Sequence, residues 1–120
     1  MQGSRQLRSF LRTTKTPGGP TMVTLINAFT VRGSGEEFER VFKASTELMC
    51  RQPGFIHFRL VHSLRRPDVY VNIAQWEDPA SHQRVVQSEE FQVHIHDLAE
   101  VADASPDLYS TVFEGDPVQE

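Results

Sequence analysis

The segment Val69–Trp76 combines an amide and the chain's only tryptophan in a pattern that could form a binding site. With the two-residue repeat of a strand, Tyr70, Asn72 and Trp76 share one face, while aliphatic residues dominate the other. An asparagine buried without a partner costs about 1–3 kcal/mol, so Asn72 needs a hydrogen bond with either a neighbouring group or a ligand. In a ligand site, the amide NH2 of Asn72 would donate to a developing oxyanion, and Trp76 would supply a flat wall and an indole N–H.

Proton transfer near neutral pH is best served by histidine, whose ordinary pKa is about 6.5. We select His94 as the catalytic base, because Phe91 three residues before it and Leu98 four residues after it define an apolar helix face that should turn its ring inward. The alternative is a histidine at the edge of the core that is hydrogen-bonded to backbone. His82 is expected at the surface.

The sequence gives no reason to expect a metal or an organic cofactor. His94 and His96 lie two residues apart on a predicted helix, so their side chains point about 200° apart around the axis and cannot hold one ion. Gly33 and Gly35 are not part of a dinucleotide-binding loop, because the third glycine of that motif is missing and the predicted strands are not parallel. We therefore expect no metal, flavin or nicotinamide.

These candidates must be held in place by a regular succession of strands and helices. The alternation of side chains predicts strands at residues 23–31, 54–64, 69–76 and 108–113, with residues 103–107 as a loop. Ser34 followed by Glu37 predicts a capping box at the start of a helix, and Pro53 and Gly54 end that helix. Shorter helical segments begin at Pro79 and Ser88.

The predicted order of strand, helix, strand, strand, helix, strand is that of a ferredoxin-like α+β sandwich, in which helices cover one face of a four-stranded antiparallel sheet. The other face would carry Thr24, Ile26, Ala28, Val71 and Ile73. Because such a face is too apolar to meet water, we expect the same face of a second subunit to cover it, giving a homodimer.

The length of the chain indicates how many domains it forms, and its net charge indicates which partners it can bind. The 120 residues suit one domain, which we place at residues 22–114, between a disordered arm at 1–21 and a tail at 115–120. The formal net charge is −4, and the arm contributes +4 through Arg5, Arg8, Arg12 and Lys15, so the remainder carries −8. This acidic remainder argues against a nucleic acid partner.

The sequence also indicates the cellular setting. Cys50 is the only cysteine, so an intrachain disulfide is impossible, and a reducing cytoplasmic location is expected. No apolar stretch approaches the roughly 20 residues that a membrane-spanning helix needs. We therefore expect no membrane partner.

Three segments together resemble the antibiotic biosynthesis monooxygenase domain. They are Ile-Asn-Ala-Phe-Thr-Val at 26–31, Gln-Pro-Gly-Phe at 52–55 and Val-Asn-Ile-Ala-Gln-Trp-Glu at 71–77, and the similarity extends over about residues 23–113. The resemblance implies a dimeric α+β barrel with a cavity between sheet and helices in each subunit. In the branch similar to anthrone monooxygenases, Asn72 and Trp76 match cavity residues, whereas His82 and His96 stand near positions that hold Tyr and Arg in that branch.

A second branch of the family degrades haem. In that resemblance Asn27 matches an asparagine of an early strand, and His94 matches the histidine that ligates iron. Val85 stands where that branch has a tryptophan, whose bulky indole goes with distortion of the haem ring. Haem cleavage is therefore the second hypothesis for the function of this chain.

The sequence thus favours a cofactor-independent monooxygenase of a small aromatic, polyketide-derived molecule. Oxygen reacts slowly with closed-shell organic molecules, so an enzyme without flavin or metal needs a substrate that becomes electron-rich on losing a proton, as a phenol or an anthrone does. The residues expected to contact this substrate, besides the catalytic Asn72, Trp76 and His94, are Asn27, Phe29, Tyr70 and Phe91. The alternatives are haem binding through His94, isomerisation or cyclisation in the same cavity, and a ligand-binding dimer without catalysis.

Overall fold

A computed structural model describes residues 22–118 of the chain, so the predicted arm at 1–21 lies outside the described residues. The elements are β1 (Val23–Val31), α1 (Gly35–Met49), β2 (Phe55–His62), β3 (Val69–Trp76), α2 (Pro79–Val86), α3 (Glu89–Val101) and β4 (Ala102–Tyr109). The strands form one antiparallel sheet in the order β2-β3-β1-β4. The predicted ferredoxin-like α+β fold is confirmed. No helix within this described range has both the length and the apolar character to cross a bilayer.

Each helix begins at a side chain that accepts a hydrogen bond from the first turn, as the sequence predicted. The Ser34 hydroxyl oxygen accepts from the Glu37 N–H at 3.0 Å, and the Ser88 hydroxyl oxygen accepts from the Phe91 N–H at 3.2 Å. At α2, an Asp78 carboxylate oxygen accepts from the Ser81 N–H at 2.8 Å. Such caps satisfy N–H groups that have no partner within the helix, and each contributes about 1 kcal/mol.

The core lies between the sheet and the helices and has two parts. At one end, Phe29 of β1 packs at a ring-centroid distance of 5.0 Å from Phe38 of α1, and Tyr70 of β3 packs at 4.8 Å from the same ring. At the other end, Trp76 of β3 is fully buried in a cluster that includes Leu25 of β1 and Met49 of α1. Burying a large apolar side chain stabilises the fold by about 1.5–3 kcal/mol.

Strand β2 contains an irregularity that reverses the predicted direction of one aromatic ring. The alternation placed Phe55 on the same side as His57, but the pairing with β3 shifts between these two residues. An extra residue in one strand moves the residues before it to the opposite face. Phe55 therefore packs edge-on against Trp76, with the ring centroids 5.2 Å apart.

Strand β4 is where the sequence-based prediction was wrong. Residues 103–107, predicted as a loop, belong to the strand, which begins directly after α3 and ends at Tyr109 rather than at residue 113. Pro106 lies within it opposite Asn27 of β1. A proline lacks the N–H that a central strand needs, but β4 pairs only with β1 and forms an edge of the sheet, where proline is tolerated.

Gly54, just before β2, fixes the start of α2. Its φ angle is +86°, and its carbonyl accepts a hydrogen bond from the Glu77 N–H at 2.8 Å. A Cβ atom at this position would lie 2.2 Å from the Ser81 Oγ and 2.5 Å from the Ser81 Cβ. Only glycine allows this close approach together with this backbone conformation, so Gly54 holds the first turn of α2 against the end of β3.

Candidate active site

A cavity of about 250 Å³ lies between the sheet and helices α2 and α3. Its walls are mostly apolar and come from every layer of the fold; among them are Leu25, Phe29, Met49, Val85, Phe91 and Leu98. The lining side chains that carry a polar atom are Asn27, Ser45, Asn72, Trp76 and His82. A concave apolar site with a few polar groups is typical of a small-molecule site.

Two of these polar side chains are engaged within the protein. The Ser45 hydroxyl donates to the Phe42 carbonyl at 2.7 Å, which is a bond within α1. The Asn27 Oδ1 accepts from the Ser105 N–H at 3.1 Å and so ties β1 to the edge strand β4. Their hydrogen-bonding capacity is therefore at least partly used by the fold.

Asn72 and Trp76 are different, because each buries a polar atom that has no partner. Asn72 is 2% exposed and Trp76 is 0% exposed. Within the described range, neither the Asn72 Oδ1 nor the Trp76 Nε1 makes a hydrogen bond. Each such atom costs about 1–3 kcal/mol of desolvation. The cavity wall thus carries one unpaired acceptor and one unpaired donor.

His82 also lies in the cavity wall, which corrects the prediction that it is on the surface. Its half-buried ring packs edge-on against the Trp76 ring, with centroids 5.6 Å apart and planes at 73°. Burial lowers the pKa of His82 from its ordinary value, which favours the neutral form of the ring. Among the lining residues in the described part of the chain, it is the one titratable side chain.

The comparison with known proteins agrees with this geometry. Residues 22–97 match the family model described as antibiotic biosynthesis monooxygenase. The chain belongs to the antibiotic biosynthesis monooxygenase family. The resemblance first seen in three short segments is therefore confirmed over most of the domain.

A match by sequence and a match by structure to this family member both come from Streptomyces nogalater. Deoxynogalonate monooxygenase is 34% identical over 88 residues, which cover 73% of this chain and 75% of that protein. The crystal structure of SnoaB, a cofactor-independent oxygenase, is 33% identical with a TM-score of 0.73, and the match covers 76% of this chain and 93% of that chain. A conserved protein from Methanosarcina mazei, 18% identical with a TM-score of 0.69 over 74% of this chain and 91% of its own, shares the fold.

His94, the predicted base of this monooxygenase family member, does not line the cavity. Its ring lines an open depression between α1 and α3, together with Glu47, Arg51 and Glu90. The prediction that His94 points into the cavity was wrong, because α3 packs against α1 as well as against the sheet. Its apolar stripe is therefore wide enough to place His94 on the flank that meets α1.

Tyr70 is also outside this cavity, although Asn27, Phe29 and Phe91 line it as expected. The Tyr70 hydroxyl donates to a Glu39 carboxylate oxygen at 2.6 Å, and its ring stacks on His62 at 4.1 Å. The hydrogen bond to Glu39, together with burial, raises the pKa of Tyr70 to about 12. Tyr70 thus serves the packing at the far end of the sheet.

Proposed function

We propose that this protein is a cofactor-independent monooxygenase that uses O2 to oxidise a small, polycyclic aromatic compound of polyketide type. The observation that carries the proposal is the pair of unpartnered polar atoms, the Asn72 Oδ1 and the Trp76 Nε1, in one largely apolar cavity. A ligand that supplies one donor and one acceptor would satisfy both atoms. The names of the matches from Streptomyces nogalater, deoxynogalonate monooxygenase and cofactor-independent oxygenase, support the same reaction class.

The spacing of the two polar residues indicates the shape of the substrate. Asn72 and Trp76 are four residues apart on one strand face, so their Cα atoms are about 13 Å apart. A ligand that reaches both side chains is therefore elongated, as a molecule of several fused rings is. A ring hydroxyl would donate to the Asn72 Oδ1, and a ring carbonyl would accept from the Trp76 indole N–H. The apolar walls would contact the ring faces.

The reaction requires little from the protein beyond positioning and electrostatics. Loss of a proton from the ring methylene of an anthrone leaves an electron-rich enolate, which reduces O2 by one electron and combines with the resulting superoxide. Protonation of the peroxide and loss of water leave a carbonyl, so that the CH2 group and O2 become C=O and H2O. The Trp76 N–H stabilises the negative oxygen of the enolate in a site shielded from water.

The first test is oxygen uptake by the purified protein. With an anthrone as substrate, we expect oxygen consumption above the uncatalysed rate, quinone formation, and one atom from labelled O2 in the product. Protein dialysed against a metal chelator and free of flavin absorbance is expected to keep this rate. Uptake equal to that of the enzyme-free solution, or uptake only after addition of a flavin or metal, contradicts the proposal.

The haem alternative is not supported by the position of its proposed ligand. An axial histidine must face an enclosed chamber that holds the macrocycle, yet His94 lies in an open depression beside Glu47 and Arg51. The histidine inside the cavity is His82, on another helix. We therefore do not propose haem cleavage for this chain.

We further propose that the protein acts as a homodimer formed through the outer face of the sheet. This face is opposite the helices, and its apolar centre consists of Ile26, Ala28, Val61, Val71 and Ile73. In the register of the sheet, one row across this face runs from Asp107 on β4 through Ile26 and Ile73 to Arg59 on β2. A two-fold axis parallel to the strands would place each Asp107 opposite Arg59 of the partner subunit, so the charges are complementary.

The dimer can be tested by placing a charge at its centre. Wild-type protein is expected to sediment at twice the chain mass, and Ile73→Arg is expected to sediment as a monomer, because an unpaired cation would be buried in the interface. Val93→Arg is the matched control: Val93 is an exposed β-branched residue on α3, on the helical side. A wild-type monomer, or an Ile73→Arg dimer as stable as that of Val93→Arg, contradicts the proposal.

A further inference from the structure

We infer that His82 is the catalytic base that takes the substrate proton in the proposed oxygenase reaction. The inference rests on the proposed function, since it names the residue that makes the substrate electron-rich. It replaces His94, which the helical pattern favoured and which the structure places outside the cavity. Three features of the site support it: the absence of a competing base, the contact with Trp76, and the means by which α2 is held in place.

No other lining residue within positions 22–118 can accept a proton near neutral pH. The remaining polar lining groups are two amides, one hydroxyl and an indole, which come from Asn27, Asn72, Ser45 and Trp76. None of these is a base at neutral pH. A neutral imidazole has a free lone pair on one ring nitrogen, so it can accept a proton directly.

The ring of His82 also lies beside the group expected to hold the substrate oxygen. Its centroid is 5.6 Å from that of Trp76, whose indole N–H is unpartnered. A ring carbonyl bound by Trp76 would therefore lie close to His82, and a proton on the same ring system would come within its reach. When the C–H bond breaks, its electron pair stays on the substrate as the enolate, and the imidazole becomes an imidazolium. The imidazolium then returns the proton to the peroxide that forms with O2, which leaves His82 neutral for the next turnover.

The surroundings of His82 contain few charges that could change its titration. Among the residues that face the cavity, β3 presents Asn72 and Trp76, and α3 presents Phe91 and Ile95. On α2 itself, the Asp78 carboxylate accepts from the Ser81 N–H at the helix start, and Arg84 is exposed. The proton affinity of the ring is therefore set mainly by burial.

The position of the ring is fixed by its own helix. Ser81, which precedes His82, is 6% exposed and contacts Gly54, and Val85 on the next turn is 3% exposed. Because one buried residue lies on each side of His82, α2 has little freedom to rotate. His82 is therefore held toward the cavity by packing, since its ring makes no hydrogen bond with residues 22–118.

The test compares pH profiles of oxygen uptake with an anthrone. In wild-type protein, kcat/KM should rise with pH through the pKa of His82, which burial lowers from its ordinary value, and then remain constant, because the base works only when neutral. His82→Gln is expected to lower kcat about 100-fold or more, to change KM less than about threefold, and to abolish this rise. Added imidazole should partly restore the rate of His82→Ala. His94→Gln, the matched histidine outside the cavity, should behave as wild type.

If His82 has a purely structural role, its replacement should lower the rate by the same factor at every pH, and imidazole should not restore it. That result, or a His82→Gln variant with wild-type kcat, overturns the inference.

A second measurement distinguishes failure of this inference from failure of the oxygenase proposal. In anaerobic 15N NMR spectra, added 1-naphthol should shift the ring signals of His82 and leave those of His94 in place. Naphthol that binds without shifting His82 removes the inference whatever the oxygen uptake. A shift without any oxygen uptake removes the oxygenase function and retains His82 as the proton-accepting contact.

Discussion

Asn72→Leu is expected to lower the kcat for oxygen consumption about 100-fold or more while leaving the free energy of unfolding unchanged or higher. The Asn72 side chain would accept a hydrogen bond from a ring hydroxyl through its Oδ1 and so fix the substrate relative to Trp76 and His82, and misplacement of a substrate by about 1 Å can lower the rate about 100-fold. In the unliganded protein, however, its Oδ1 is buried without a partner. An apolar side chain at that position removes this desolvation cost of about 1–3 kcal/mol. Oxygen uptake and urea denaturation measure the two effects separately.

Asn27→Leu provides a matched control in the same cavity. The Asn27 Oδ1 already accepts a hydrogen bond from the Ser105 N–H, so its loss should lower the free energy of unfolding by about 0.5–1.5 kcal/mol. The two asparagines should therefore shift stability in opposite directions, or by clearly different amounts. If Asn72→Leu is the more destabilising of the two, or if it retains the wild-type rate, Asn72 is a structural residue and its proposed role is wrong.

Gly54→Ala is expected to lower the free energy of unfolding by about 2–5 kcal/mol, a large share of the roughly 5–15 kcal/mol that a domain of this size has. A φ angle of +86° costs a non-glycine residue about 1–2 kcal/mol. The new Cβ would also collide with the Ser81 Cβ, which cannot rotate away, and such overpacking costs about 1–3 kcal/mol. Relief of this collision moves α2 and its histidine, so activity should fall as well. Thermal and urea denaturation measure the stability.

Gly33→Ala separates the two contributions. Gly33 has a φ angle of +98°, but nothing lies within 4 Å of the position of its Cβ. Its replacement should therefore show only the backbone cost. The double variant Gly54→Ala with Ser81→Gly should be less destabilised than the sum of its single changes, because it removes the collision. Equal effects of Gly54→Ala and Gly33→Ala would mean that the contact with α2 contributes nothing.

Local patterns were sufficient for most of the fold and for the two cavity residues on β3. The alternation along β3 is strict, and its amide and indole share a face because a strand repeats every two residues. The helix starts followed from Ser34 and Ser88, whose side chains act within their own first turn. Such features depend on neighbours in sequence, so a single sequence contains the information needed to predict them.

The histidines could not be assigned in the same way. His94 and His82 each lie beside apolar residues at helical spacing, and in α2 the residues Val85 and Val86 follow His82 at three and four positions. That spacing is a signal that could have identified His82, but two turns of helix are too short to define a face with certainty. Which flank of a helix meets the sheet and which meets another helix depends on contacts between distant segments.

Two further errors, in β2 and β4, also have long-range causes. The irregular pairing of β2 with β3 is a property of two strands together, and it reverses Phe55 although the sequence of β2 alternates normally. In β4, Ala102, Ala104 and Pro106 face the helices, and their small or ring-closed side chains do not resemble a buried strand face. Only the pairing of β4 with β1 makes this segment a strand.

The two borders of the sheet also limit how molecules of this protein can associate. An exposed edge strand can pair with a strand of another molecule, and repeated pairing of this kind leads to open-ended fibres. Here Pro106 interrupts the row of N–H groups on β4, between the acidic Asp103 and Asp107, and the shifted pairing near Phe55 distorts β2. Lateral growth is therefore disfavoured at both borders, which leaves a closed pair as the assembly most compatible with this sheet.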